Sequence, residues 1–354
     1  MSNISNISKT LSQLGDFLSQ FKASGVSKKE NIPYNESFFE SFLQRIETAK
    51  NHNGWFTKDS VLFAVEEWSK LLNINNINTW TSKYNFKNAN PKTVAIIMAG
   101  NIPLVGFHDF LSVLITGHKV LVKQSSNDKH LLPLLVSYLE HLDESLKGRI
   151  QFTDGKLETF DAVIATGSDN TARYFEYYFK DKPSIIRKNR NSVAILTGNE
   201  TPKQLAALSE DIFRYYGLGC RNVSKIFVPK NYAFDTFFNA MYSWHPIIND
   251  VKYANNYDYN KAVYLMSEFD LLENGFLMLK EDASYSSPIA TVFYEYYNTL
   301  QEIKDKLTQD QEKVQCIVSN GLLFNNEIPF GETQKPQLWE YADNIDTVAF
   351  LLKI

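Results

Sequence analysis

The chain holds only two cysteines, Cys220 and Cys316, among its 354 residues. Two thiols cannot build a disulfide framework, and reduced thiols fit a cytosolic protein. There is no Cys-x-x-Cys pair, and the six histidines show no His-x3-His spacing. No metal site is therefore expected. No Lys/Arg block runs longer than a few residues and the net charge is −4, so no nucleic-acid footprint is expected either. The opening "MSNISNISKT" lacks the apolar core of a signal peptide. The most apolar stretch, "TVAIIMAGNIPLVGF", is broken by Gly100, Asn101 and Pro103. It falls short of the roughly 18 apolar residues a membrane helix needs. These absences predict a cytoplasmic protein with no membrane span. Gly-x-Gly-x-x-Gly and P-loop fingerprints are also missing, as are internal repeats and low-complexity linkers.

What is present is apolar material in quantity. The hydrophobic fraction is 44%, with 25 Phe and 19 Tyr, enough to fill two domains. Residues 1–92 read as helical. Ile7, Leu11, Leu14, Phe17, Leu18 and Phe21 recur at helical spacing, as do Phe38, Phe39, Phe42, Leu43 and Ile46. A third stripe runs from about Ser60 to Leu72, with Asp59 or Ser60 as its N-cap. From Thr93 the pattern alternates. "TVAIIMA", "KVLVKQS", "RIQFTD", "FDAVIAT" and "SVAILTG" read as strands; "FHDFLSVLIT", "DKHLLPLLVSYLEHL" and the run behind Gly167 read as helices. Such alternation predicts an α/β fold with a doubly wound parallel sheet over Thr93 to Gly198. A capped helix, "TPKQLAALSEDIFRYYGLG", then runs into "RYYGLGCRNVSKIFVP". Late strands are expected at "KVQCIVSNG" and in the tail that ends "TVAFLLKI".

Chemistry-bearing residues fall in the breaks of this pattern, and each has two readings. Cys220 follows Gly217 and Gly219 and precedes a strand. It is either a small buried hydrophobe or a nucleophile on a tight turn whose backbone N–H groups face an oxyanion. Cys316, inside the apolar "VQCIVS", reads as core. Asn101 ends a buried strand, where α/β sheets bind ligands. It either donates to an oxyanion or makes a turn before Pro103. Lys123 ends "VLVK" and is followed by Ser125 and Ser126. These are a solvated strand end or contacts to a nucleotide. Gly167 and Ser168 open a helix, either as an ordinary cap or as an anion site. The aromatic stretches "FDTFFNAMYSW" and "TVFYEYYNTL" line an apolar tunnel or simply fill the core.

Taken in order, "AGNIPLVG", "GHKVLVKQSS", "ATGSDN" and "GLGCRNVSKIFVP" resemble the acyl-CoA reductase branch of the aldehyde dehydrogenase superfamily. That branch includes the fatty-acid reductase subunit of bacterial bioluminescence. The resemblance covers about residues 93–230, with a further match at "PFGETQKPQ". It implies a cofactor domain over 93–200, a catalytic domain over 201–320 and a C-terminal return segment over 321–354, behind the helical segment 1–92. It makes Cys220 the catalytic thiol and Asn101 an oxyanion donor. Lys123, Ser125, Ser126, Gly167 and Ser168 become contacts to a nicotinamide cofactor. Hydrolytic members carry Glu-Leu-Gly-Gly-Lys upstream of the cysteine, and its glutamate activates water. This chain reads "SIIRKNRNSVAIL" there, with Arg187 and Lys188 and no carboxylate. That departure disfavours oxidation to an acid and favours an acyl-CoA substrate. Many NAD-preferring members place a glutamate where this chain has Ser126, so NADPH is expected, with NADH possible. Homo-oligomers are usual in the family and are expected here. Acyl-phosphate reduction, CoA-acylating aldehyde oxidation and a non-catalytic acyl-binding scaffold are the alternatives.

Overall fold

A computed structural model describes residues 2–86, 90–321 and 323–354. The chain divides into two compact units, Met1–Lys188 together with Gln337–Ile354, and Asn189–Pro336.

The first unit begins with α1 (Ser2–Leu18), a small hairpin of β1 (Phe21–Lys22) and β2 (Gly25–Val26), and helices α2 (Asn35–His52), α3 (Lys58–Leu71) and α4 (Ile74–Thr81). The expected stripes are the buried ones: Leu11, Leu14, Phe17, Phe42 and Ile46 are fully enclosed. The cap of α3 differs from expectation. Thr57, not Asp59 or Ser60, stands at the N-cap and accepts from the Ser60 N–H. The hydroxyl sits one residue before the first helical turn, where an orphan N–H lies within reach.

Next come β3 (Thr93–Ile97), α5 (Phe107–Ile115), β4 (Lys119–Lys123), α6 (Leu131–Leu142), β5 (Ile150–Phe152), β6 (Ala162–Thr166), α7 (Asp169–Tyr178) and β7 (Ser184–Arg187). The five strands pair in the order β5-β4-β3-β6-β7, all parallel. One face packs α5, α6 and the N-terminal helices into a single core that includes Leu14, Phe42, Ile96, Phe110, Leu135 and Ile164. Residues 1–92 therefore share their core with the sheet. The other face is thinner. Ala95, Val163 and Ala165 lie there under Leu157, Phe160, Phe175 and Phe179. Of these, only Phe175 belongs to a helix, α7, with Phe179 at its end. The link from β5 to β6 contains no helix at all. Small side chains on that face let an extended strap lie close to the sheet.

The second unit contains β8 (Asn191–Ile195), α8 (Pro202–Phe213), β9 (Val223–Pro229), α9 (Phe234–Met241), α10 (Val251–Met266), β10 (Leu271–Glu273), β11 (Met278–Glu281), β12 (Thr291–Tyr297), α11 (Leu300–Gln309) and β13 (Val314–Val318). Its six strands run in the order β10-β11-β12-β9-β8-β13. Here the expectation for "SVAILTG" is corrected. Strand β8 pairs with β9 and β13 in this second sheet, and the first sheet ends at β7. Helix α8 starts with a full capping box, Thr201 with Gln204, and Pro202 in its first turn, as its sequence predicts. The aromatic stretches contribute to the core in part: Phe234, Phe237 and Met241 join Val292 and Tyr294, Phe234 lies 4.9 Å from Tyr294, and Tyr242 and Tyr296 are exposed.

The tail returns to the first unit and ends in α12 (Thr347–Leu351). This corrects the expected strand. Asp346 caps the segment by accepting from the Ala349 N–H, and Val348 and Leu351 share the first unit's core. An acidic N-cap followed by apolar residues three apart is a helix signal. His108 Nε2 meets the Leu338 carbonyl at 2.8 Å and His118 Nε2 meets that of Leu351 at 2.9 Å. Among the described residues, no helix is long and apolar enough to cross a membrane.

Candidate active site

In the first unit the candidate residues gather at one edge. Strand β3 lies between β4 and β6, so chain order reverses beside it. The connections there leave toward opposite faces, and the carboxyl ends of strands at such a switch point are where open α/β sheets bind ligands. The loop carrying Asn101 follows β3, Lys123 ends β4, and Gly167 and Ser168 follow β6. Sequence order thus becomes adjacency: three of the quoted motifs share one edge of one sheet.

The Asn101 loop is tightly fixed. Asn53 Nδ2 donates to the Gly100 carbonyl at 3.1 Å. A Cβ on Gly100 would come within 2.7 Å of Ser125, so only glycine lets this loop lie against the one that follows β4. Leu104 takes the left-handed conformation, φ 57°, and its N–H reaches Asp128 Oδ2 at 3.2 Å. Asp128 is buried, and loss of hydration pushes its carboxyl up to about 6, with the Leu104 N–H acting in the opposite sense. Met98, Leu104, Phe107 and Leu132 line the small cavity that it shares with Gln124.

The other cofactor candidates are polar and accessible to different degrees. Lys123 is half-buried and its Nζ donates to the Gly155 carbonyl at 2.8 Å, on the strap between β5 and β6. Ser125 Oγ accepts from the Asn127 N–H at 3.3 Å, and Ser126 is exposed. Ser168 is the N-cap of α7, accepting from Thr171 N. The ordinary cap is thus present, and it places the positive end of a helix dipole at the sheet edge. An ammonium group, hydroxyls and a helix N-terminus suit an anionic, hydroxyl-rich dinucleotide.

Cys220 lies in the second unit. Its side chain is exposed, whereas Cys316 is buried, 4% accessible. The two are not joined in a disulfide. The turn before Cys220 is unusual. Tyr215 and Tyr216 have φ 54° and 59°, and Gly217 has φ 74°, three consecutive left-handed residues. Two of them are bulky, at a cost of about 1–3 kcal/mol each. Neighbouring groups hold this geometry. Ser192 on β8 donates its hydroxyl to the Cys220 carbonyl at 2.9 Å. Asn222 Oδ1 accepts from the Gly219 N–H at 2.8 Å, and its Nδ2 donates to the carbonyls of Asp211 and Arg214 at 3.0 and 2.8 Å. Arg221 Nε donates to the Thr333 carbonyl at 2.5 Å.

A model of the acyl-CoA reductase (LuxC) family matches residues 7–241. The chain belongs to that family. It is an oxidoreductase acting on aldehyde or acyl groups. No curated protein matches it. Its fold is that of the aldehyde dehydrogenases. The NAD+ complex of an aldehyde dehydrogenase from Bacillus cereus aligns with TM-score 0.60 and 13% identity, over 90% of this chain and 71% of the other. Apo betaine aldehyde dehydrogenase from Staphylococcus aureus gives TM-score 0.63 and 12% identity, over 89% and 75%. An oxidoreductase from Marinobacter aquaeolei gives 0.60 and 14%, over 85% and 70%.

In this member of the acyl-CoA reductase family the segment that departs from the hydrolytic pattern is structural. Arg187 ends β7 and is 5% accessible. Its Nη2 and Nε meet Asp109 Oδ1 and Oδ2 at 2.7 and 3.3 Å, Nη1 donates to the Ala342 carbonyl at 2.7 Å, and Nη2 to Thr347 Oγ1 at 3.0 Å. The guanidinium is turned into the unit's interior and bolts the returning tail to α5. Sequence reasoning missed Asp128, Asp211, Ser192 and Asn222. Asp211 carried a signal: an acid on the apolar stripe Leu205, Leu208, Ile212 has a reason to be buried. Asn222, just past a glycine turn, also fits an Asx pattern.

Proposed function

We propose that this protein reduces an acyl-CoA thioester to the aldehyde through an acyl adduct on Cys220. The observation that carries the reading is Arg187. The stretch that the resemblance matches to the water-activating glutamate's segment, "SIIRKNRNSVAIL", has no carboxylate, and Arg187 within it is committed to Asp109. Without a carboxylate to deprotonate water, an acyl adduct is protected from hydrolysis.

The Cys220 thiolate attacks the thioester carbonyl carbon, the bond from that carbon to the CoA sulfur breaks, and CoA departs as its thiolate. The resemblance gives Asn101 and the Cys220 N–H the role of stabilising the carbonyl oxygen while it carries negative charge. A nicotinamide dinucleotide, when bound, would supply a hydride to the acyl carbon of the Cys220 thioester, leaving a thiohemiacetal on that sulfur, and NADPH is the form favoured here. Lys123, Ser125 and Ser126 hold its ribose and phosphate groups, and Gly167 and Ser168 present the N-terminus of α7 to its anionic part. Ser126 favours a 2′-phosphate because a hydroxyl donates to it where a glutamate repels it. The thiohemiacetal on Cys220 then collapses, returning the sulfur as thiolate and releasing aldehyde after proton transfer.

The test is NADPH oxidation across acyl-CoA chain lengths with trapping of the aldehyde, run beside acyl-phosphate as an alternative donor. Aldehyde in step with NADPH is expected, abolished by Cys220→Ala and retained by Cys316→Ala. A Cys220→Ala protein turning over at the wild-type rate would remove Cys220 from the chemistry. Stoichiometric acylation of Cys220 without turnover would favour the scaffold alternative.

A further inference from the structure

Asp211 is fully buried on α8, where an apolar residue would serve packing. Its carboxylate receives three donors from one segment: Gly331 N–H at 2.6 Å on Oδ2, and Thr333 N–H and Oγ1–H at 3.0 and 2.8 Å on Oδ1. Thr333 passes the restraint on, because its carbonyl accepts Arg221 Nε. The backbone carbonyl of Asp211 accepts Asn222 Nδ2, and Asn222 Oδ1 accepts the Gly219 N–H. One residue therefore reaches both sequence neighbours of Cys220, Gly219 through Asn222 and Arg221 through Thr333. A buried carboxylate is costly and one leucine would remove that cost. Leucine would also cut the carboxylate link to Thr333.

We propose that Asp211 is a positioning residue for Cys220, holding the turn from the Arg221 side through the Gly331–Thr333 segment. This rests on the reading of Cys220 as the acyl-carrying thiol. Asp211 touches no reactant; its carboxylate fixes the Gly331–Thr333 segment that holds Arg221, the residue after Cys220. The charged groups around it are few. Glu210 is adjacent and paired with Arg214 at 2.6 Å. Lys335 Nζ lies on the Gly331 carbonyl and on Glu332, both at 3.0 Å, and Arg221 is held by Thr333. Burial pushes the Asp211 carboxyl up to about 6, against the pull of the Gly331 and Thr333 donors. The carboxyl therefore changes charge in mild acid and is mostly ionised at neutral pH, and its geometry toward the three donors changes with that charge.

The experiment is alkylation of Cys220 by iodoacetamide from pH 5 to 9, followed by peptide mass, with Cys316 as an internal control of folding. Wild-type protein is expected to show the thiol's own rise plus a second inflection near pH 6. Asp211→Asn should remove that inflection and change the Cys220 rate at pH 7.5 about tenfold, the worth of one hydrogen bond to a charged group. Thr333→Val, which removes only the hydroxyl donor, should give a smaller change of the same sign. A wild-type rate and profile in Asp211→Asn overturns the proposal. If Asp211→Asn exposes Cys316 to reagent, Thr333→Val decides, and an unchanged profile there overturns it as well. Alkylation needs neither acyl donor nor reductant. Failure to form aldehyde would count against the proposed reaction and leave this measurement standing.

Discussion

The two regions that carry the candidate groups are built in different ways. At the first sheet, Asn101, Lys123 and Ser168 come together because parallel strands with reversed order must end side by side. Their local geometry is ordinary: a strand end, a loop and a capped helix. At the second sheet nothing in strand order presents Cys220. Its turn uses three left-handed residues in a row and is tied by Ser192, Asn222 and Arg221. A binding edge comes with the topology of an α/β sheet. A presented thiol needs a dedicated set of polar ties, and such ties hold strain only when they over-determine it.

Four measurements break or sharpen this contrast. The largest effect is expected where the first unit is held together. Arg187→Met leaves Asp109 buried without its cation and should cost about 3–5 kcal/mol in urea unfolding, with much of it recovered in Arg187→Met/Asp109→Leu. A loss under 1 kcal/mol would show that the pair does not hold the tail. Asn101→Ala should lower kcat for aldehyde formation by about 10²–10³-fold, the worth of one oxyanion donor. An unchanged kcat would return Asn101 to the role of a turn residue. Asp128 tests whether the edge is as plainly built as it looks. Its folded carboxyl lies at about 6, above the ordinary 3.8, so its contribution to stability is fully present below that ordinary value and is lost as pH rises through 6. The loss amounts to about 3 kcal/mol, and Asp128→Asn should flatten the stability profile between pH 4 and 7. Parallel profiles for the two proteins would refute it. The smallest effect is expected at Ser126→Glu, a shift of about tenfold from NADPH toward NADH in kcat/KM. No shift would place the 2′-phosphate elsewhere.

Much of this was legible in the residues, for identifiable reasons. Continuous apolar runs and breaker-rich loops mark β3, β4 and β6, because strands buried on both faces need no polar side. The helical stripes of α1, α2 and α8 coincide with buried positions because each helix buries one apolar face and leaves the other polar. Strand β7 was hidden in "SIIRKN" because its buried charge, Arg187, reads as solvated until Asp109 stands beside it. The placement of β8 was hidden because a strand carries no mark of which sheet it will join. The terminal helix was misread because "TVAFLL" suits either period over so short a run; only the cap at Asp346 decides. The clasp at Asp211 depends on Gly331 and Thr333, more than a hundred residues away in sequence, and no local pattern records such a pairing.

The return of the tail has a consequence for how the protein is made. The first unit needs Leu338, Val348 and Leu351 for its core and needs Ala342 and Thr347 to receive Arg187. A ribosome delivers those residues only after the whole of Asn189–Pro336 has emerged, on the order of 10 s later at ordinary synthesis rates. During that interval the nascent first unit lacks the tail residues that complete its core and receive Arg187. The second unit has all its residues once Pro336 emerges, before the tail is made. Order of synthesis and order of completion are therefore reversed: the half begun first is the half finished last.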